Sequence, residues 1–357
     1  MPDDRNAVAC APGRVELLGN HTDYNEGVVW GAAIDRGIKV NGCKRDDALI
    51  EIHSSEFGDV VVRELQPVKE RWANYLLGVA SELSKLGVQI GGFTAEVTGN
   101  LPIAVGLSSS AAIELATALF LLKLFPREIS PLEIAKACQR AEHHFVGVRS
   151  GLLDQVISLF GRADRVVFFD CRSEEIRTVP FPPSLALIIA RSGKKRDLAS
   201  SHYNLRREQT LAATQLLGVP ALRDATLARL RQSELPDLLK RRALHVIEEN
   251  ERVWCGVDLL QDGNSAGFGE LMNASHESSR RNFENSTPEL DILVSIAQRL
   301  SGVLGARLTG AGFGGAIVVL CEESEADAIA SELSGHYRGA TGITTSAFVC
   351  KIADGAR

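Results

Sequence analysis

The sequence predicts an α+β fold arranged in two lobes. A chain of 357 residues exceeds what one hydrophobic core usually supports, and its length favours about two domains. Strand-like and helix-like segments alternate along it without internal repeats. The only dense proline cluster lies at 181–184. We therefore predict a first lobe over 1–183 and a second over 184–357, with the boundary inside the window 171–195.

The first half is predicted to mix strands and helices. Alternating or β-branched residues indicate strands, which are predicted at 37–43, 49–53, 59–64, 92–99, 165–170 and 185–190. Apolar residues on one face predict a helix over 72–87, and a second, apolar helix follows. Ser130, Pro131 and Glu133 form a capping box with proline at the first helical position. A third helix is expected to begin there and to run to about Phe145.

The second half is predicted to carry long helices and fewer strands. The helices are expected at 197–216, 235–262, 287–301 and 324–334. The strands are expected in "ARLTG" and "AIVVLC", on either side of a glycine-rich loop, and at 344–351.

Composition narrows the functional class. The net charge of −6 disfavours a general nucleic-acid or anionic-membrane binder, since those usually need surplus positive charge. No apolar stretch approaches the roughly 18 residues of a membrane span, and the N-terminus lacks a signal-peptide pattern. Seven widely spaced cysteines indicate neither a zinc site nor a disulfide framework. We expect a cytoplasmic protein with reduced thiols and no nucleic-acid or membrane partner.

The segment "LPIAVGLSSSAAIE" (101–114) has the chemistry of an anion site. Gly106 allows close backbone approach, three serines supply hydroxyls, and the following helix presents unpaired N–H groups with partial positive charge. Such a site suits phosphate. It is not a Walker loop, because the Gly-Lys-Ser/Thr triplet is missing. A core helix that is merely capped by serine is the alternative.

A second glycine-rich loop, "TGAGFGGA" (309–316), contains a formal G-x-G-x-x-G in Gly310, Gly312 and Gly315. A dinucleotide site needs a helix directly after the loop, whereas a strand-like segment follows here. The dinucleotide interpretation therefore fails. A tight turn and a loop that folds against another site are the two interpretations left.

Residues 11–35 are interpreted as a loop between apolar stretches. The loop is rich in the planar donors and carboxylates that hydroxyl-rich ligands such as sugars need. A solvated surface loop is the alternative. The polar side chains belong to Arg14, Glu16, Asn20, His21, Asp23, Tyr24 and Asn25.

Residues 140–161 carry two candidate acids. Glu142 lies near a helix end, and Asp154 lies in the first turn of the next helix. One acid facing a cleft and the other binding Mg²⁺ is one interpretation, and a simple helix-dipole contact by Asp154 is the other. A metal site on His143 and His144 is disfavoured, because consecutive helical residues point in different directions.

Together these motifs resemble the GHMP small-molecule kinases, and the galactokinase family in particular. "GRVELLGNHTDYN", "GLSSSAA" and "LTGAGFGG" are similar to the three signature motifs, in the family order. Four further segments also resemble galactokinase segments: "SGLLDQ", "DLASSHYNLRR", "HVIEENERV" and "HESSRRNFENSTPELD". The resemblance runs from about Ala11 to beyond residue 320, nearly the whole chain.

The resemblance implies an active site in the cleft between two lobes, and phosphorylation of the anomeric hydroxyl of galactose by ATP. The implied base is Asp154, which Arg14 keeps ionised while it also stabilises charge during transfer. Ser110 and Glu142 would hold Mg²⁺. The implied phosphate-binding residues are Ala104, Val105, Gly106, Leu107, Ser108, Ser109 and Ser110. The implied sugar-binding residues are Asn20, His21, Thr22, Asp23, Gly151 and Tyr203.

The chain departs from the family pattern at three places. Asn20 stands where the pattern has Glu, which suggests a different contact at the C6 end of the sugar and makes galacturonate an alternative substrate. Ala104 and Val105 replace glycines in the phosphate loop. The run "SGKKRDL" (192–198) adds positive charge, either as a solvated basic turn or as a contact to an acidic substrate. The added charges are Lys194, Lys195 and Arg196.

A non-catalytic galactose sensor is the alternative outside the enzymes. It predicts damage to the serine–alanine stretch or to the catalytic pair, but Ser110, Arg14 and Asp154 are all present. The enzyme is therefore preferred. The sequence leaves the oligomeric state and the physiological sugar open.

Overall fold

Two β-sheets with helices packed on them make up the protein, which confirms the predicted α+β class. The computed structural model describes residues 5–103, 105–194 and 202–357. The first sheet is built before residue 181, and the second is built after residue 184.

The first sheet has seven strands. They are β1 (Asn6–Leu18), β2 (Val28–Lys44), β3 (Ile50–Ser54), β4 (Gly58–Val62), β5 (Phe93–Gly99), β6 (Arg165–Asp170) and β7 (Ile176–Pro180). Their order is β4-β3-β5-β2-β6-β7, with β1 paired to β2. β3 and β5 run parallel, and the remaining pairs run antiparallel. The long strand β2 therefore holds the sheet together through three neighbours.

The second sheet has four antiparallel strands in the order β11-β8-β10-β9. They are β8 (Leu185–Arg191), β9 (Val303–Thr309), β10 (Ala316–Glu322) and β11 (Ala347–Cys350). The glycine-rich loop joins β9 directly to its antiparallel neighbour β10. This arrangement confirms the strand–loop–strand predicted from the sequence and the exclusion of a dinucleotide loop.

Ten α-helices lie in the part of the chain that the structure describes. They are α1 (Ala73–Lys85), α2 (Ser109–Leu124), α3 (Pro131–Ala141), α4 (Leu153–Phe160), α5 (His202–Leu217), α6 (Leu227–Gln232), α7 (Asp237–Gln261), α8 (Ser265–Ser278), α9 (Pro288–Ala297) and α10 (Ala326–Thr341). α2 packs against β1, β2 and α1, as expected for a helix that is apolar on all sides. None of these helices is both long and apolar enough to cross a bilayer.

Most predicted elements are confirmed, including the start of α3, where Ser130 accepts a hydrogen bond from Glu133 N at 3.3 Å. The interpretation of 11–35 as a loop was largely wrong, because β1 runs to Leu18 and β2 begins at Val28. β1 is buried on both faces from Ala11 onward. It therefore lacks the alternation that identifies a half-buried strand.

Two other differences concern the second half of the chain. The strand predicted at 185–190 to close the first half is β8, which lies in the second sheet. Helices α6 and α8 were not predicted. The two glycines and several polar residues of α8 explain why its pattern is weak. The predicted helix at 197–216 is described only from His202 onward, as α5.

The chain ends against the first sheet. Cys10 N donates to Arg357 O at 2.8 Å, and Ala353 N donates to Ala33 O at 2.9 Å. Residues 351–357 thus run beside β1 and β2 after the second sheet is complete. This return ties the two sheets together.

Removing the Phe120 side chain of α2 should destabilise the first half strongly. Phe120 is fully buried and its ring centroid lies 6.1 Å from that of Phe93 on β5. Phe120→Ala is expected to cost about 3–5 kcal/mol of unfolding free energy through lost contacts and a cavity. Val61→Ala, at an exposed position of β4, should change it by less than about 0.5 kcal/mol. Urea unfolding of both variants measures this, and equal effects would contradict the assigned core.

Candidate active site

A cleft opens where β1, the loop before α2, the start of α4 and the glycine-rich loop meet. Its volume is about 690 Å³ including its open mouth. The predicted site residues that line it are Arg14, Asn20, His21, Asp23, Gly106, Ser108, Ser109, Ser110, Glu142, Gly151, Asp154 and Tyr203. Those that are buried but do not line it are Thr22, Val105 and Leu107. Ala104 lies outside the described residues.

Arg14 and Asp154 form an ion pair in this cleft. Arg14, on β1, is only 2% exposed, and its Nε and Nη2 donate to Asp154 Oδ1 at 2.8 and 2.5 Å. Asp154 lies in the first turn of α4, with a side chain that is 29% exposed. The hydrogen bonds from described side chains end on Oδ1, so Oδ2 can accept a proton from a ligand hydroxyl. The pair has the geometry of a base oriented by a cation.

The same arginine holds the phosphate loop. Arg14 Nη1 donates to Gly106 O at 2.8 Å. Gly106 and Ser108 both have left-handed backbones, with φ of +84° and +57°, and this turn aims the start of α2 into the cleft. The first N–H groups of α2 have no intrahelical partner, and the buried Ser108 hydroxyl has no partner among the described residues. Unpaired donors at a helix N-terminus suit an anion.

The glycine-rich loop after β9 folds against the phosphate loop. A Cβ on Gly310 would lie 2.9 Å from Gly106 O, and a Cβ on Gly315 would lie 2.8 Å from Val105 O. Both glycines also have positive φ. The loop is therefore more than a tight turn, and it matches the second of the two interpretations left open by the sequence.

The His21 ring is fixed on every side. Its Nε2 lies 3.0 Å from Ala311 O, and its Nδ1 lies 2.8 Å from the Tyr24 hydroxyl. Because a carbonyl only accepts, Nε2 donates to Ala311 O. The rings of Phe283 and Tyr203 flank it, with centroids at 4.6 and 5.2 Å. His21 thus presents a rigid ring to the cleft.

The amide of Asn20 is fully used within the protein. Nδ2 donates to Glu16 Oε1 and to Gly310 O, both at 2.9 Å. Oδ1 accepts from Asn285 Nδ2 at 2.8 Å and from the Ser279 hydroxyl at 3.4 Å. These bonds fill the capacity of the amide, which argues against the prediction that it contacts the sugar directly.

The hydroxyl of Thr22 is also occupied. It lies 2.8 Å from Gly19 O and 2.7 Å from Val28 O. Both carbonyls belong to the backbone that joins β1 to β2. Thr22 therefore shapes the sugar loop, defined here as residues 19–27, and does not face the cleft.

Asp23 is a half-buried acid next to a second acid. Burial raises the pKa of Asp23 to about 6, and the negative charge of Asp154 adds to this rise. A Cβ on Gly151 would overlap the Asp23 carboxylate, so a larger residue there would displace that side chain. Gly151 N donates to the Tyr203 hydroxyl at 3.4 Å. Burial raises the pKa of Tyr203 well above its usual value, so this phenol stays a donor.

Ser110 and Glu142 supply the oxygen atoms that could hold a metal ion. Glu142 is buried in a wider π-helical turn that follows α3, and it accepts a hydrogen bond from the Ser150 hydroxyl. A hydroxyl and a carboxylate fit the preference of Mg²⁺ for oxygen ligands. His143 and His144 contact different groups, Ser150 O and Glu82. Among the described residues no cluster of three or more His, Cys, Asp or Glu side chains suits a metal.

The basic run at 192–198 is only partly described. Lys194 Nζ lies 3.7 Å from Glu289 Oε2 on α9, with both side chains partly exposed. This contact favours the basic-turn interpretation for Lys194. Lys195 and Arg196 lie outside the described residues.

A buried charge cluster under the sugar loop escaped the sequence analysis. Arg307, on β9, is fully buried and contacts Glu16 at 3.2 Å and Glu249 at 3.7 Å. Glu249 Oε1 accepts from Gly19 N at 3.0 Å and from Asn20 N at 3.1 Å. Burial alone would raise the pKa of Glu249, but the charges of Arg252 and Arg307 outweigh it and lower the pKa. Glu249 belongs to the segment "HVIEENERV", which resembles a galactokinase segment, but the spacing of its residues does not indicate that Glu249 is buried.

Asp23→Asn should stabilise the protein at higher pH. The folded-state pKa of Asp23 is about 6 against a usual 3.8, so the acid contributes stability at low pH that is lost as the pH rises through 6. The variant lacks this loss, which amounts to at most about 3 kcal/mol. Calorimetric Tm values from pH ~4.5 to ~8 should show a growing advantage of the variant that levels off above pH ~6. The Tm of the control Asp258→Asn, at an exposed position, should follow that of the parent at every pH. If the Tm of Asp23→Asn also follows that of the parent, the raised pKa of Asp23 is refuted.

Comparison with known proteins agrees with this geometry. The GHMP kinases N terminal domain matches residues 74–162, and the GHMP kinases C terminal domain matches residues 257–339. The galactokinase galactose-binding signature matches residues 2–42. A galactokinase of Roseiflexus sp. (strain RS-1) is 41% identical, covering 98% of this chain and 92% of the relative. A galactokinase of Haemophilus influenzae is 37% identical, covering 97% and 93%.

Solved structures agree as well. The Lactococcus lactis galactokinase complexed with galactose superimposes with a TM-score of 0.95 at 32% identity, covering 99% of this chain and 95% of that one. The Methanococcus jannaschii mevalonate kinase shares the fold, with a TM-score of 0.67 at 20% identity and coverage of 99% and 100%. With full-length relatives well above 30% identity, the chain belongs to the galactokinase family of the GHMP kinases.

Proposed function

We propose that this protein transfers the γ-phosphate of ATP to the anomeric hydroxyl of galactose and forms galactose 1-phosphate. The observation that carries the proposal is the Arg14–Asp154 ion pair, which lies between the phosphate loop and the sugar loop in one cleft. Family membership supports the activity. The sugar itself is proposed from the galactose-binding signature and from the galactose complex of the Lactococcus lactis relative.

Proton transfer is the task proposed for Asp154. Its Oδ2 would accept the proton of the sugar hydroxyl as the oxygen attacks phosphorus, while Arg14 fixes the carboxylate through Oδ1. Since Arg14 also donates to Gly106 O, it lies near the phosphate loop. Its charge would therefore stabilise the negative charge that develops during transfer.

Binding of the nucleotide phosphates is proposed for the loop at Gly106 and the N-terminus of α2. The unpaired N–H groups of the first turn and the free Ser108 hydroxyl support this. Mg²⁺ would be held by Ser110 and Glu142, and when bound it neutralises phosphate charge. His21, Asp23, Gly151 and Tyr203 would form the sugar site, with donors and acceptors fixed by the contacts described above.

Galactose is favoured over galacturonate. The departure at Asn20 suggested that a C6 carboxylate could be accepted, but Glu16 Oε1 lies 2.9 Å from the Asn20 amide. A sugar carboxylate at that end would face a second acid. The sensor alternative is also disfavoured, because Arg14 and Asp154 are in direct contact and both line the cleft.

The division of the chain at 183/184 is part of the same proposal. The two sheets support it, since β1–β7 end at Pro180 and β8 begins at Leu185. The return of residues 351–357 to the first sheet departs from this division. The cleft would then be closed by groups from both lobes.

Asp154→Asn should abolish turnover while leaving the sugar site formed. The amide has the same shape but cannot accept the hydroxyl proton, so galactose-dependent ADP release is expected to fall about 10²- to 10⁴-fold. Calorimetry should still show galactose binding within a few-fold of the parent. Asp258→Asn, remote from the cleft, serves as the control with parent activity.

Three outcomes would refute parts of this proposal. Full activity of Asp154→Asn would remove the base from the mechanism. Binding of galactose by the parent without ADP release would favour the sensor. Faster ADP release with galacturonate than with galactose would assign the other sugar.

A further inference from the structure

Glu16 faces the cleft, although the family resemblance implies no role for it. β1 and β2 pair without interruption from Arg14 to Glu16, so side chains two residues apart share one face of the strand. Arg14 points into the cleft, and Val15 between them is buried in the hydrophobic core. Glu16 therefore points to the same side as Arg14, and it lines the cleft with 3% of its surface exposed.

The carboxylate of Glu16 is held through one oxygen only. Oε1 accepts from Asn20 Nδ2 at 2.9 Å and from Arg307 Nη2 at 3.2 Å. Both donors are themselves buried, so the orientation of the group is fixed. The hydrogen bonds that described residues make to this carboxylate end on Oε1, which leaves Oε2 to accept from a molecule in the cleft.

The position of Glu16 indicates which side of a bound sugar it meets. Two residues of extended strand separate it from Arg14 by about 7 Å, and Arg14 marks the reacting end through Asp154. This separation is comparable to the width of a pyranose ring. Asn20 lies beside Glu16 but its amide is saturated, so Glu16 is the acceptor available at the far end.

We propose that Glu16 determines sugar specificity by accepting, through Oε2, a hydrogen bond from a hydroxyl on the side of the ring remote from the anomeric carbon. This inference rests on the proposed function. When Glu16 is ionised, a hydrogen bond of this kind is charge-assisted and corresponds to roughly 10- to 100-fold in affinity. The binding measurements are therefore made at about pH 8.5, well above the pKa of about 7 that burial gives this group. The enzyme should therefore discriminate against the one deoxy analogue that lacks the contacted hydroxyl.

Glu16→Gln is the sharpest probe of this contact. Asn20 and Arg307 both donate toward the Oε1 position, so the carbonyl of the glutamine is expected to turn toward them. Its NH₂ group then occupies the Oε2 position and offers a donor where the sugar needs an acceptor. The variant changes the contact while preserving the size of the side chain.

The experiment measures calorimetric Kd values for galactose and its 2-, 3-, 4- and 6-deoxy analogues. In the parent, one of the 3-, 4- or 6-deoxy sugars should bind roughly 10- to 100-fold more weakly than galactose. In Glu16→Gln, galactose should weaken by a similar factor, and that deoxy sugar should weaken by less than about 3-fold. The ratio between galactose and 2-deoxygalactose should stay the same, because the 2-hydroxyl lies next to the reacting carbon.

Glu249→Gln is the matched control. Glu249 contacts the same arginine and holds the same loop, but it does not line the cleft. It should weaken galactose and every analogue by one common factor. The same uniform loss in Glu16→Gln would overturn the proposal and reduce Glu16 to a support of the loop. If Glu16→Gln does not fold, Glu16→Asp keeps the charge opposite Arg307 but withdraws the carboxylate, and the same selective loss is expected.

The proposed function is tested separately by ADP release from the parent with galactose. Binding without turnover would refute the kinase assignment, while the deoxy-sugar pattern would still decide the role of Glu16. Turnover with a uniform binding loss in both variants would leave the kinase intact and refute the role of Glu16.

Discussion

One guanidinium group, that of Arg14, connects the parts of the cleft. The guanidinium donates to the Asp154 carboxylate and to the Gly106 carbonyl. The backbone N–H of Arg14 also donates to Leu107 O, at 3.1 Å. An arginine that is 2% exposed loses most of its hydration, and only excellent hydrogen-bond geometry offsets such a loss. Arg14 has that geometry because β1, the phosphate loop and α4 all meet at its side chain. Moving α4 would leave a buried charge unpaired, and moving the phosphate loop would leave Arg14 Nη1 without its carbonyl acceptor.

A second buried arginine has the same function on the sugar side. Arg307 reaches Glu16 on β1 and Glu249 on α7, and its Nη1 also donates to Leu17 O at 3.1 Å. Glu249 in turn holds the backbone of Gly19 and Asn20. Strand β9 of the second sheet thus fixes the loop that leaves the first sheet. The two arginines explain how one rigid cleft can be built from two sheets.

The sequence predicts what depends on local physical chemistry and misses what depends on distant contacts. The start of α3 was predictable because Ser130 caps a backbone three residues away. The loop at Gly106 and the start of α2 among the serines at 108–110 were predictable because both lie in one contiguous segment of the chain. Glu16, Glu249 and Arg307 come into contact only after the chain has folded. Their spacing in the sequence does not predict that contact. β1 was not predicted for another reason. Because the strand is buried on both faces, its sequence lacks the alternation of apolar and polar residues.

The departure at Asn20 shows why a single position should be interpreted with its neighbours. Considered alone, an amide in place of a carboxylate removes a negative charge from the sugar loop. In the folded protein the amide bonds to Glu16, so a carboxyl group is still present at the same point of the cleft. Burial raises the pKa of Glu16 to about 7, although Arg307 and Arg14 oppose the rise. The charge at this end of the site therefore depends on the whole cluster. Asn20 does not remove the carboxyl group from this end of the cleft, but it changes the hydrogen bonds that hold that group.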